Sequence, residues 1–198
     1  MKKRGFTLAE VLIALTLVGV IAAMTMPSVV TNSKAKTNVA KLASTVSALE
    51  NAFATMMISE AVQDITETEF GKDPKNVDFK LLDKYLKIAS SNDKNPVITL
   101  KNGIDIYVVK LGEDDSASES TEEEEESRHP GALMRIDIDS NGEGNKPNAY
   151  GVDIFRFAIG NNGTLYPAGG DIYEKMYPTA DETGSCTATI VKNGYTIK

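Results

Sequence analysis

Acidic and amide side chains alternate in one short stretch of the chain, where Asp137, Asp139 and Asn141 are followed directly by Gly142. An EF-hand calcium loop begins with this spacing, because alternate oxygens converge on the ion and glycine makes the sharp turn. The twelfth position of such a loop would be Asn148 rather than a bidentate glutamate, and no second helix is predicted after it. The two aspartates also alternate within a strand pattern, so the solvent face of a strand is the second interpretation.

Residues that commonly carry nucleophilic or zinc chemistry are nearly absent from the chain. His129 is its one histidine and Cys186 its one cysteine, so neither a His-rich zinc site nor an intrachain disulfide can form. The sequence has no Gly-x-Ser-x-Gly elbow and no P-loop, and we expect no enzymatic activity. The formal net charge of −7 argues against a broad basic surface for nucleic acid.

Another carboxylate, that of Glu10, carries the only charge between Phe6 and Met26. This apolar run is long enough to span a bilayer once, since a helix rises about 1.5 Å per residue and the hydrocarbon core is about 30 Å thick. Basic residues precede the run, and no charge follows Glu10 until Lys34. The positive-inside rule therefore places the N-terminus in the cytoplasm and the chain after about residue 30 outside.

The position of Glu10 has two interpretations. A carboxylate inside an apolar helix costs roughly 2.5–3.5 kcal/mol on insertion scales, so it needs a partner or a function. Alternatively, Glu10 lies near the cytoplasmic end and reaches the headgroups. The run itself also has an alternative, an export signal cut near Ala22 and Ala23, although such signals have shorter apolar centres.

The N-terminal segment contains a basic leader, then Gly5, Phe6 and Glu10, then the apolar run with Pro27 at its end. This pattern resembles the N-terminal signature of type IV prepilins and of the pseudopilins of type II secretion systems. This resemblance implies cleavage after Gly5 by a membrane-embedded prepilin peptidase and N-methylation of Phe6. It also implies polymerisation into a filament through the apolar helix, with Phe6, Glu10 and Pro27 as assembly residues.

The same resemblance divides the chain into a leader at 1–5, a transmembrane and assembly helix at 6–30 and one external domain at 31–198. The implied partners are other filament subunits, the prepilin peptidase, an inner-membrane assembly platform, and lipid before assembly. The implied location is the bacterial inner membrane, followed by a filament in the periplasm or on the cell surface. A type IV pilus, a secretion pseudopilus and a DNA-uptake filament all remain open, although the acidity of the chain weakens the last.

Cleavage after Gly5 would create a positive α-amine on Phe6, which becomes buried when apolar helices pack together. Glu10 supplies the compensating charge, since opposite charges attract strongly in a low dielectric and an unpaired ion is costly there. The resemblance pairs the amine with Glu10 of a neighbouring subunit. Pairing within one chain is the alternative, because residues 6 and 10 are one helical turn apart.

Apolar residues at three- and four-residue spacing predict that the N-terminal helix continues to about Ile65, roughly 90 Å from Phe6. Pro27 should bend or loosen this helix rather than end it. A coiled coil is the alternative for such spacing. The predicted apolar stripe consists of Val39, Leu42, Val46, Leu49, Phe53 and Met56.

After Gly71 the pattern predicts a short helix capped by Asn76 or Asp78, then a loop from Ser90 to Pro96, then strands. Asn-Gly pairs at 102–103, 162–163 and 193–194 predict hairpin turns, the first of type I′. The predicted strands are 97–101, 104–111, 132–138, 153–159, 164–166, 187–191 and 195–197. An α+β fold follows, and the resemblance implies the pilin-like form, a long N-terminal helix packed against an antiparallel sheet.

The stretch from Glu113 to Glu126 contains nine acidic residues and no basic one. Such a run cannot bury itself, so we expect a mobile, solvated loop at about 113–129. Cation buffering or contact with a partner is the alternative.

Two further stretches, Asp139 to Phe157 and the final CTATIVKNGYTIK, resemble segments of bacterial pilin-like proteins. The second is a predicted hairpin in which Cys186 is expected to be buried. Related major pseudopilins hold calcium in their external domain. Ca²⁺ is therefore a candidate cofactor, and the residues of this stretch give Asp137, Asp139, Asn141 and Asp153 as its candidate oxygens. The alternative to a filament subunit is a signal-anchored or secreted calcium-binding module of the cell envelope that does not polymerise.

Overall fold

The structure is a computed structural model that describes residues 5–73, 77–91, 98–109, 132–142, 144–176, 184 and 186–196. The chain divides into two compact units, residues 1–37 and residues 38–198. Within the described residues a long helix, α1, is followed by two short 3₁₀ helices, six strands and two short helices near the C-terminus. The predicted α+β class is confirmed.

Helix α1 runs from Leu8 to Glu60 and contains 53 residues. It includes Pro27 and ends slightly before the predicted Ile65. The six residues of the predicted stripe are all buried, none more than 5% exposed, and they belong to the core cluster together with the sheet. The amphipathic prediction for the second half of α1 is therefore confirmed.

The C-terminus of α1 is closed by a Schellman motif. The Val62 N–H donates to the Met57 carbonyl at 3.0 Å, and the Ala61 N–H donates to the Ile58 carbonyl at 3.2 Å. Ala61 adopts a left-handed φ of 55°, the conformation that this motif requires just after the last helical turn. The helix therefore ends through its own backbone hydrogen bonds rather than at a proline or glycine.

Two 3₁₀ helices connect α1 to the sheet, Ile65–Glu67 and Phe79–Lys84. The second is capped by Asp78, whose side chain accepts a hydrogen bond from the Lys80 N–H. Asp78 is one of the two predicted caps, whereas Asn76 lies outside the described residues. Phe79 is buried in the core, as are Leu82 and Leu86.

The six strands form one antiparallel sheet in which the spatial order equals the sequence order. Each strand therefore pairs with its neighbours along the chain. The strands are β1 Ile88–Ser91, β2 Ile98–Leu100, β3 Asp105–Val109, β4 Ala132–Asp139, β5 Ile154–Gly160 and β6 Leu165–Pro167. Five of these match predicted strands. The sixth, β1, includes Ser90 and Ser91, which were predicted to begin the loop 90–96. Residues 92–97 lie outside the described part.

One face of the sheet packs on α1 and the other carries buried charges. Ile136 and Ile138 of β4 belong to the core cluster, so Asp137 and Asp139 point to the opposite face, since side chains alternate along a strand. Asp137 is only 7% exposed and Asp139 only 1%. The interpretation of these aspartates as a solvent face is therefore wrong.

Two hairpin turns in the sheet have the same geometry. In the first turn, the Gly103 N–H donates to the Leu100 carbonyl, and the Leu100 N–H donates to the Ile104 carbonyl. In the second turn, the Gly163 N–H donates to the Gly160 carbonyl, and the Gly160 N–H donates to the Thr164 carbonyl. The glycine has a positive φ in both turns, but the preceding asparagine does not. Type I′ turns need a positive φ at both central residues, so the type I′ prediction at Asn102 is wrong and both are three-residue loops.

The predicted C-terminal hairpin is also wrong, because residues Cys186–Lys192 form helix α3. Helix α3 ends at the Asn-Gly pair 193–194. There the Tyr195 N–H donates to the Ile190 carbonyl, and the Gly194 N–H donates to the Val191 carbonyl. Thr187 and Ile190 are buried on one face of α3. The β-branched composition favours strand only weakly, and packing of this face overrides it. A further short helix, α2, spans Asp171–Met176.

The predicted acidic loop at 113–129 lies outside the described residues, and so does His129.

Gly71 gives a test of how closely the chain packs against the first 3₁₀ helix, Ile65–Glu67. A Cβ at this position would lie 2.1 Å from the Ile65 carbonyl oxygen, so Gly71→Ala should lower the free energy of unfolding by about 1–3 kcal/mol. Gly144→Ala is the matched control, because its Cβ would meet no atom within 4 Å. Thermal unfolding of the full chain in detergent micelles measures both, and equal midpoints would contradict the close approach.

Candidate functional site

The first turn of α1 is closed by a reciprocal pair of residues, Thr7 and Glu10. The Thr7 N–H and the Thr7 hydroxyl each donate to Glu10 Oε2 at 2.8 Å. The Glu10 N–H donates to Thr7 Oγ1 at 3.3 Å. This is a capping box, in which an N-cap threonine and a glutamate three residues later satisfy the free N–H groups of the helix start.

The residues around the predicted cleavage site are open to their surroundings. Phe6 is 87% exposed, and a Cβ on Gly5 would meet no atom within 4 Å. Glu10 is exposed as well. The single chain therefore leaves the Gly5–Phe6 bond and the Glu10 side chain accessible to other molecules.

The stretch Leu8–Thr25 is long and apolar enough to cross a membrane, judged by length and composition alone. None of this stretch is buried inside the structure. Its large apolar side chains are exposed, from 46% at Val11 to 79% at Leu8. A continuous apolar surface of this size requires either lipid or another protein around it. Pro27 lies within α1, but its side chain is outside the described part, so its effect on the helix stays a prediction.

Asp137 belongs to a buried network on the charged face of the sheet. Arg156 donates to it from Nε to Oδ1 at 2.8 Å and from Nη2 to Oδ2 at 3.0 Å. The Tyr150 hydroxyl donates to Oδ2 at 2.5 Å, and Arg156 Nη2 also donates to that hydroxyl at 2.8 Å. Burial and the neighbouring Asp137 carboxylate raise the pKa of Tyr150, so this hydroxyl remains a donor at neutral pH.

Asp139, Asn141 and Asp153 come together at the end of β4, in the loop that leads to β5. Asp139 Oδ1 accepts from the N–H groups of Asn141 at 3.1 Å and Gly142 at 3.0 Å. Asn141 Nδ2 donates to Asp153 Oδ2 at 3.0 Å. Asp105 of β3 is the Cα partner of Asp139 across the sheet. Burial raises the pKa of Asp139, and the negative charges of Asp153 and Asp105 add to that shift.

The four predicted calcium ligands do not fit one cation in this arrangement. Asp137 is held by Arg156 and Tyr150, while Asp153 accepts from an amide side chain and two backbone N–H groups. Asn141 Oδ1 is buried without a hydrogen-bond partner. This one oxygen is too few for a site, because calcium takes about six to eight oxygens. Within the described ranges, no group of three or more acidic, cysteine or histidine side chains is placed to hold a metal ion. Calcium binding stays a prediction.

Sequence reasoning missed several residues of these two regions. Thr7 had a usable signal, since a threonine three residues before a glutamate at a helix start is a capping-box pattern. No local sequence pattern identifies Arg156, Tyr150 or Asp105. Strand pairing brings Arg156 and Asp105 to their partners, and a loop brings Tyr150 to Asp137. The expected burial of Cys186 is wrong: it is a free, exposed cysteine at the start of α3.

Comparison with known proteins gives one positive finding, at the N-terminus. Residues 1–26 match the family model described as the prokaryotic N-terminal methylation motif. No curated protein and no solved structure matches the chain. The matched stretch contains Gly5, Phe6, the capping box and the apolar start of α1, and its described residues are those that the single chain leaves open.

The Arg156–Asp137 pair gives a test of the charged face. Arg156→Met removes one partner of a pair whose side chains are 3% and 10% exposed, so it should cost about 3–5 kcal/mol of unfolding free energy. The double variant Arg156→Met with Asp137→Leu should recover most of this loss, because no buried charge then stays unpaired. Denaturant unfolding of the full chain measures both. A double variant as unstable as the single one would contradict a dominant role for charge pairing.

Proposed function

We propose that this chain is a pilin-like subunit that is cut after Gly5, methylated at the amine of Phe6 and assembled into a filament through α1. The observation that carries the proposal is the methylation motif at residues 1–26, located on a helix start that is fully open. In this role the chain is a structural component rather than a catalyst.

The sequence around the cut suits a membrane-embedded peptidase. Gly5 has no side chain to obstruct a protease and tolerates backbone conformations that other residues resist. The basic residues before it favour the cytoplasmic face of the membrane. Phe6, exposed in the single chain, would become the new N-terminus and the acceptor of the methyl group.

The new amine at Phe6 explains why an acidic residue is tolerated in the first turn of an apolar helix. Before cleavage the nitrogen of Phe6 is a peptide amide and carries no charge. After cleavage it is an ammonium close to Glu10, whose Oε2 already accepts two hydrogen bonds from Thr7. We propose that the ammonium of one subunit pairs with Glu10 of a neighbour, because the pair neutralises two ions that would each be costly in an apolar filament core.

The exposed face of α1 in the unit 38–198 supports assembly by helix packing. Between residues 38 and 59, every residue that α1 leaves exposed is uncharged: Ala40, Ser44, Ser47, Ala48, Asn51, Ala54, Thr55, Ile58 and Ser59. Helix faces that remain in water usually carry charged residues. A face of mostly small, uncharged side chains is suited to close contact with another subunit.

The proposed location is the bacterial inner membrane with a cytoplasmic N-terminus, followed by an extracytoplasmic filament. Leu8–Thr25 would anchor the subunit in lipid before assembly. Prepilin peptidase, an inner-membrane assembly platform and other subunits are the proposed partners. A type IV pilus and a type II secretion pseudopilus both use such a subunit.

Processing gives the first test of this function. The mature protein purified from its native membrane should begin with N-methylphenylalanine at Phe6, which mass spectrometry of the N-terminal peptide detects. Gly5→Leu should retain the leader, because its side chain obstructs the cut. A mature chain that begins at Met24 would instead support an export signal and a module that does not polymerise, and a native protein with its leader intact would refute the proposal.

Glu10 gives the second test, and one of its two variants removes the charge while it keeps the hydrogen bond with Thr7. Glu10→Gln keeps an acceptor for the Thr7 N–H, since a capping box accepts either residue, but it carries no charge for the amine. Glu10→Ala loses both. Both variants should insert and be processed, and filament yield in sheared material should fall by more than about ten-fold, given the cost of an unpaired buried ion.

Thr16→Val is the matched control for Glu10, because it changes a polar residue of the same stretch whose hydroxyl donates only to its own helix, at the Ile13 carbonyl. Its filament yield should stay normal. Wild-type yield from Glu10→Gln would show that the charge is not needed for assembly.

A further inference from the structure

We propose that the loop between β4 and β5 folds around the carboxylate of Asp153 as a built-in anion, so that this loop reaches its conformation without a divalent cation. This loop belongs to the unit 38–198, and the proposal does not rest on filament assembly. Asp153 is then a positioning residue. Its negative charge organises the loop, whereas the positive charge of the bound ion organises a calcium loop.

The carboxylate of Asp153 is surrounded by donors from both ends of the loop. Asp153 is 0% exposed. Its Oδ1 accepts from the Ala149 N–H at 2.6 Å, and its Oδ2 accepts from the Asn148 N–H at 2.9 Å and from Asn141 Nδ2 at 3.0 Å. Hydrogen bonds to an ionised acceptor are about twice as strong as those between neutral groups, so one side chain ties residue 141 to residues 148 and 149.

The backbone of Asp153 fixes the same two ends of the loop. Its carbonyl accepts from the Ser140 N–H at 2.8 Å and from the Ser140 hydroxyl at 3.0 Å. Its own N–H donates to the Ala149 carbonyl at 3.2 Å. Asn148 holds a left-handed φ of 52°, a conformation that asparagine adopts more readily than most other residues. Its N–H bond to Asp153 holds this part of the loop against the carboxylate.

The polarity of these contacts is the reverse of what a cation needs. A calcium site turns oxygens toward the ion, whereas the backbone of Asn148 and Ala149 and the amide of Asn141 turn N–H groups toward Asp153. A cation placed against this carboxylate would have to displace those donors. Asp137, the first residue of the calcium-like spacing, is neutralised by the guanidinium of Arg156 instead.

The consequence is a loop surface that does not depend on calcium outside the cell. Tyr150 and Val152 are its large exposed apolar residues, 38% and 41% exposed. Tyr150 is also held by Asp137 and Arg156. The loop therefore presents these side chains in one arrangement whether or not calcium is present.

The test uses the full chain in detergent micelles and compares the wild type with Asp153→Asn, each in millimolar calcium and in EDTA. Asparagine keeps one acceptor for the Ala149 N–H but turns an NH₂ group toward Asn141 Nδ2 and the Asn148 N–H. We expect the variant to lower Tm by roughly 5–15 °C, by the same amount in both solutions. The Tm of the wild type should be equal in the two.

Asp83→Asn is the matched control, since it makes the same chemical change at an exposed position of the second 3₁₀ helix. Its Tm should equal that of the wild type. If Asp153→Asn does not fold, amide hydrogen exchange of the wild type in EDTA still decides the question, because Asn148 and Ala149 should be protected there. The proposal is overturned if calcium raises the Tm of the wild type, if these amides are protected only with calcium, or if Asp153→Asn unfolds at the wild-type Tm.

Discussion

A lone carboxylate at the start of an apolar helix is the constraint on which the N-terminal segment depends. In the single chain, Glu10 accepts hydrogen bonds from the N–H and the hydroxyl of Thr7. These bonds give a partner both to the carboxylate and to a backbone N–H at the start of α1. Such hydrogen bonds spread the charge over neighbouring dipoles but do not cancel it. In apolar surroundings an unpaired carboxylate still favours any cation that can reach it. A cut one helical turn away, at Phe6, would supply that cation, and this links the capping box to the methylation motif that covers the same residues.

Helix α1 combines two hydrophobic patterns in one element, and each pattern fits a different environment. Its first part, Leu8–Thr25, is apolar on all sides and none of it is buried within the chain. Its second part has a single apolar stripe, from Val39 to Met56, that completes the core of the unit 38–198. The stripe fixes which face of α1 remains outside, and that face carries no charge between residues 38 and 59. Folding of the unit 38–198 and exposure of an uncharged helix face are thus consequences of the same periodicity.

Local patterns predicted a large part of the fold. The stripe of α1, the cap at Asp78 and five of the strands follow from periodicity and capping chemistry, which act over a few residues. The last helix did not follow, since the β-branched residues of α3 favour strand and only burial of Thr187 and Ile190 selects helix. The spacing of Asp137 and Asp139 suggested a shared ion, but their partners come from other parts of the chain. Arg156 reaches Asp137 through strand pairing, and the loop before Asp153 turns N–H groups inward. A sequence pattern records which groups are present, whereas the pairing of distant segments decides what they face.

The central claim is that the amine of Phe6 on one subunit neutralises Glu10 on another. Solid-state NMR of filaments assembled from a mixture of two preparations tests it most directly, with ¹⁵N in one preparation and ¹³C in the other. The account predicts a dipolar contact between the ¹⁵N-labelled amine of Phe6 and the ¹³C-labelled carboxyl carbon of Glu10, at a separation typical of an ion pair with N···O within about 4 Å. A contact of this kind can arise only between subunits. Filaments that show no such contact, with the Glu10 carboxylate near only its own Thr7, would contradict the claim.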